Sequence, residues 1–100
     1  MQIRDLLAKA TASYAAGDLD HAKLVIQEII SLDDSFGVAY TLLSQILEDL
    51  GETKEAVEAL LKACTYNKQD PVIWIRAARM SRELGEWKQA LRCYDTYGDL

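Results

Sequence analysis

The chain has 100 residues, 50% of them hydrophobic, with 11 Lys and Arg against 16 Asp and Glu for a net charge of -5. Such an apolar fraction can fill one core and excludes a disordered chain; the interspersed, net acidic charge excludes the basic face needed to displace counterions from a nucleic-acid backbone. The longest apolar runs are broken by Gln27, Glu28, Gln45 or Glu48, so no membrane span is expected, and Cys64 and Cys93 fit neither a zinc spacing nor a disulfide framework, which points to a reducing, intracellular compartment.

A glycine with an alanine five residues later recurs at a stride of 34: Gly17 with Ala22, Gly51 with Ala56, Gly85 with Ala90. A stride of this length marks a stacked helix-turn-helix repeat, and a stack of that kind makes a groove for a partner without built-in chemistry. In chain order, the first helix is predicted over 3–16 and stops at Gly17. With Arg4 and Lys9 against Asp5 alone it is open to a reading as a targeting helix, but the register assigns it to the first repeat. The second, over 19–31, carries Ala22 as a small packing position and Ile26 as the bulky one after it.

A third helix is predicted over 36–50, ended by Gly51, and a fourth over 53–66 with Ala56 and Leu60 as its small and large positions. Asp70-Pro71 reads as a helix start, Asp capping and Pro holding the first-turn φ, so the fifth runs over 71–84 to Gly85. A sixth over 87–97 pairs Ala90 with Tyr94, and Gly98, standing where Ile30 and Cys64 stand earlier, predicts a frayed end. The first, third and fifth helices share a large position, Leu6, Tyr40 and Trp74, followed by a small one, Ala10, Ser44 and Ala78. The result is one array over 1–100, with repeats at about 3–36, 37–70 and 71–100, the last expected to be part of a longer array.

Candidates for chemistry are few. His21 lies between Asp20 and Ala22 with no nucleophile or cleft to serve, and is expected to be a solvated surface residue. Cys64 and Cys93 fall on packing positions and read as small hydrophobes. Every glycine but Gly37 and Gly98 is used in a turn, leaving no phosphate-binding loop. No catalytic residue, cofactor or metal is expected.

With Trp74, Ala77-Ala78, Ala90 and Tyr94 in the third unit, the chain resembles the tetratricopeptide repeat family. It departs from the family pattern at Ser13, Leu47 and Ser81, at Lys9, and at Asp34 and Lys68 where a closing proline is usual. The resemblance implies an all-α, right-handed solenoid whose first helices line a concave groove. In this register the lining is Arg4, Leu7, Thr11 and Tyr14, then Val38, Thr41, Gln45, Glu48 and Asp49, then Val72, Ile75, Arg79, Arg82 and Glu83. Relatives that hold a peptide's terminal carboxylate use Lys and Asn at positions occupied here by Leu7, Thr11, Leu42, Val72 and Arg76, which disfavours tail capture. Arg76, Arg79 and Arg82 form a slanted basic row facing Glu48 and Asp49, readable as inter-repeat ion pairs or as an anchor for an acidic partner.

Ala12 to Asp18, Ile46 with Glu48-Asp49, Met80-Ser81 and Cys93-Tyr94 narrow the resemblance to the repeat-bearing subunits of TFIIIC, a general transcription factor of RNA polymerase III. That resemblance implies a nuclear protein-binding scaffold recruiting TFIIIB components, without direct nucleic-acid or membrane contact. The alternatives are a generic assembly or co-chaperone adaptor, and a repeat domain attached to an enzyme elsewhere in a longer polypeptide. Finally, Trp87, Leu91, Tyr94 and Tyr97 have no following helix to cover them, which predicts self-association or a larger partner at that face.

Overall fold

The computed structural model describes residues 2–99, and all six of its elements are helices: α1 (Gln2–Ala15), α2 (Leu19–Leu32), α3 (Gly37–Asp49), α4 (Thr53–Tyr66), α5 (Pro71–Glu83) and α6 (Trp87–Asp99). Helices pair as α1 with α2, α3 with α4 and α5 with α6, and the pairs stack through α2 on α3 and α4 on α5. This is an all-α helical-repeat solenoid, with principal extents of 36 × 26 × 19 Å.

Each turn within a pair rests on its glycine. Gly17, Gly51 and Gly85 have φ of 83°, 83° and 80°, and among the described residues no other position has a positive φ. After each, an amide reaches back to close the helix end, as Glu52 N–H does on the Leu47 carbonyl at 2.8 Å. No atom lies within 4 Å of a Cβ built on Gly51, so Gly51→Ala meets backbone strain alone. It is expected to cost about 1 to 2 kcal/mol, measured as a shift of the urea midpoint.

Starts differ from unit to unit. Asp70 Oδ1 accepts from Val72 N–H at 3.0 Å beside Pro71, and Asp18 Oδ1 accepts from His21 N–H at 3.3 Å, whereas Phe36 and Glu52 make no side-chain cap.

Packing follows the stride. Ala10, Ala22, Ser44, Ala56 and Ala78 are fully buried, as are Ile26 and Leu60. Ala90 keeps 3% of its surface and Tyr40 5%, while Leu6, Trp74 and Tyr94 are half-buried. Two apolar clusters meet at Ile30 and Leu43, one joining α1, α2 and α3 and the other spanning the last two pairs.

Asp34 and Lys68, where a closing proline is usual, are held by another device. The Tyr40 hydroxyl donates to the Asp34 carbonyl at 2.8 Å and Trp74 Nε1–H to the Lys68 carbonyl at 2.8 Å, so the aromatic of the next helix ties down each link. α6 departs from expectation: it continues through Gly98 to Asp99 instead of fraying. Nothing crowds Gly98, and one glycine costs a helix only about 1 kcal/mol.

Candidate functional site

α1, α3 and α5 share a face crossed by a chain of polar side chains. The Tyr14 hydroxyl of α1 donates to Asp49 Oδ2 of α3 at 2.6 Å. Gln45 Nε2 donates to Asp49 Oδ1 at 3.2 Å, and Arg76 Nη2 of α5 donates to Gln45 Oε1 at 3.1 Å while lying 3.7 Å from Glu48 Oε1. The hydrogen bond to the Asp49 carboxylate is the main cause holding the Tyr14 phenol above its ordinary value, with burial second. These links are partly solvated, so they orient the helices more than they stabilise them, at about 0 to 1 kcal/mol for the ion pair.

Of the basic row, only Arg76 makes an inter-repeat ion pair. Arg79 and Arg82 are exposed and form none among the described residues. On the same two helices, Val38 of α3 and Val72 of α5 are 52% and 61% exposed at positions one stride apart, and Thr41 and Ile75 are half-buried. Two exposed guanidinium groups on α5, with exposed valines on α3 and α5, suit a segment with acidic and apolar side chains. Unit one contributes less: Arg4 is exposed, Leu7 packs against the core, and Thr11 Oγ1 donates to the carbonyl of its own helix at Leu7.

Arg76, expected from the sequence as part of the basic row facing Glu48 and Asp49 though not as a groove residue, pairs with Glu48 and also reaches Gln45. A second feature lies on the opposite helices, where a furrow of about 660 Å³ runs between α2 and α4, lined by Tyr40, Leu43, Leu47, Ala59 and charged side chains. No motif points to it.

Ser13 Oγ and His21 Nδ1 lie 2.7 Å apart, a pairing with the outline of a catalytic dyad. The stride explains it differently, because Ser81 and Gln89 occupy the same positions in unit three and Gln89 Nε2 donates to Ser81 Oγ at 2.9 Å. Both bonds tie the first helix of a unit to the second. Both are partly or fully exposed, with no third group orienting the histidine.

Both cysteines are buried and free. Burial is the main cause pushing the Cys64 thiol up to about 12, with a smaller push from Cys93, and burial likewise raises Cys93. Since the folded value exceeds the unfolded one, stability is unaffected at neutral pH and falls as pH rises from the ordinary thiol value toward about 12. At pH 8, iodoacetamide should modify the folded chain slowly and the urea-unfolded chain fast; equal rates would contradict the burial.

Among the described residues, no cluster of His, Cys, Asp and Glu could hold a metal, and no helix is long and apolar enough to cross a membrane. Residues 38–70 match the tetratricopeptide repeat family model. Human general transcription factor 3C polypeptide 3 is 33% identical over 92% of this chain, which covers 10% of that protein. The transcription factor tau subunit sfc4 of Schizosaccharomyces pombe is 25% identical over 95% of this chain and 10% of its own length. The chain thus spans about a tenth of the length of these curated relatives.

Among solved structures, the second tetratricopeptide domain of Spaghetti (RPAP3), bound to an HSP90 peptide, superposes with a TM-score of 0.83 at 13% identity, covering 97% of this chain and 90% of that one. The Yersinia enterocolitica type III secretion translocator chaperone SycD gives 0.82 at 18% identity, over 97% of this chain and 74% of that one. At these identities the likeness is one of fold. Residues 38–70 thus carry a tetratricopeptide repeat, and over most of its length the chain is similar to TFIIIC subunits.

Proposed function

We propose that the chain is a non-catalytic protein-binding segment of a longer repeat array in a TFIIIC-type transcription factor, acting in the nucleus to capture TFIIIB components. The observation that carries this reading is that α5 exposes Arg79 and Arg82, with no ion pair among the described residues, while Val38 of α3 and Val72 of α5 are also exposed. The likeness to transcription factor subunits supports the context, and the net charge of -5 supports a role that leaves nucleic acid to other subunits. Arg4, Leu7, Thr11 and Tyr14 extend the groove on α1, with Thr41, Gln45, Glu48 and Asp49 at its centre. The captured segment is an extended or helical stretch with acidic residues over Arg79 and Arg82 and apolar ones over the valines.

The test is Arg79→Glu with Arg82→Glu, assayed by fluorescence anisotropy against purified TFIIIB components. Both side chains are exposed, so the helical circular dichroism spectrum should be unchanged while affinity falls by about tenfold or more. Undiminished binding by the reversed variant would overturn the groove reading. Binding to no TFIIIB component would favour a generic adaptor, one without a terminal-carboxylate clamp because Leu7, Thr11, Leu42 and Val72 stand at the clamp positions.

A further inference from the structure

The furrow between α2 and α4 occurs twice in the molecule, in two chemical versions. The first, of about 660 Å³, has Gln27, Tyr40, Glu55, Glu58, Ala59 and Lys62 among its lining residues. One stride on, their equivalents Leu61, Trp74, Gln89, Arg92, Cys93 and Thr96 line a smaller furrow of about 320 Å³ between α4 and α6.

Charge separates the two. In the smaller furrow Gln89 is spent on Ser81 at 2.9 Å, and Arg92 stands where the larger one has Glu58. In the larger, Glu55 and Glu58 lie one helical turn apart on α4, both exposed and without an ion pair among the described residues. Its cations are engaged: Lys23 bonds Glu52 at 3.3 Å, and Lys62 sits 5.7 Å from the centre of the Tyr40 ring. The larger furrow therefore combines an apolar floor of Tyr40, Leu43 and Leu47 with a border of two carboxylates. Pairs stack through α2 on α3 and α4 on α5, so a further repeat would meet α1 or α6 and leave this furrow uncovered.

We propose that the larger furrow is a second docking surface, which takes an amphipathic helix of a protein partner with a basic border. Apolar side chains at i, i+3, i+4 and i+7 of that helix enter between α2 and α4, and Lys or Arg residues one turn apart meet Glu55 and Glu58. The carboxylates select a basic border over an acidic one. That preference is the reverse of the one proposed for Arg79 and Arg82, so the two surfaces take different segments, and neither reading depends on the other.

Fluorescence anisotropy at physiological ionic strength tests this with a labelled synthetic helix carrying Leu at those four positions and Lys along one border. It should bind saturably, and versions with Glu for Lys or Ser for Leu should bind about tenfold more weakly or worse. Glu55→Lys with Glu58→Lys should cost a similar factor. Glu28→Lys with Asp95→Lys changes the net charge equally at positions that line neither furrow, and should leave affinity unmoved. All four positions are exposed, so circular dichroism should show both variants folded. Bound peptide should shift the amides of Gln27, Leu43, Leu47, Glu55 and Glu58, and leave those of Arg79 and Arg82 in place. No binding, equal losses in the two variants, equal binding of the Glu peptide, or shifts centred on Arg79 and Arg82 would each overturn the proposal; equal losses would reduce the contact to attraction by net charge.

Discussion

Leu60→Ala is expected to cost about 2 to 5 kcal/mol, from a whole-domain stability of roughly 5 to 15. Leu60 is fully buried at the centre of α4, in the cluster that gathers Tyr40 and Leu47 of α3, Ile73 and Ala77 of α5, and Cys93 of α6. Truncation removes the transfer energy of its methyl and methylene groups, and the surrounding helices cannot close the gap without shifting two pairs at once. The urea midpoint should fall by about 1 M or more at unchanged slope. A midpoint near wild type would mean that α4 does not stand between the two pairs as described.

Ala56→Leu tests the other half of the packing rule and is expected to cost about 1 to 3 kcal/mol through overpacking. Ala56 has no exposed surface and sits on the first turns of α4, close behind the Gly51 turn that brings α4 onto α3. An isobutyl group there must push the two helices apart. Thermal unfolding should show a lower midpoint with native helical content below it. The same substitution at exposed Ala12, on α1, should leave the midpoint nearly unmoved.

The glycines and alanines made the fold legible. A positive-φ turn admits glycine far more readily than other residues, and a close helix crossing admits little more than a methyl, so a stride of 34 in both could be read directly as three stacked pairs. Boundaries moved by one or two residues, and Gly98 misled because propensity is a weak force against thirteen residues of otherwise continuous helix.

The links at Asp34 and Lys68 were not legible as ordered segments. What holds them is a hydrogen bond from an aromatic six residues later, a contact that depends on how far α3 and α5 tilt onto the link. The basic row was half legible. Residues three apart on a helix diverge by about 60° per step, so Arg76 faces Gln45 and Glu48 while Arg82 points elsewhere, and a linear reading cannot say which of the three is spent on the neighbouring helix. The furrow was not legible because its floor of Tyr40, Leu43 and Leu47 reads in the sequence as ordinary helix-packing positions.

The central claim is that this chain works by holding a protein segment on the face of α1, α3 and α5. Amide chemical-shift mapping with a purified TFIIIB component tests it most directly. Binding should perturb Thr41, Gln45, Val72, Ile75, Arg79 and Arg82, with the second helices of the units largely silent. Perturbations confined to α2, α4 and α6, with that face silent, would contradict it.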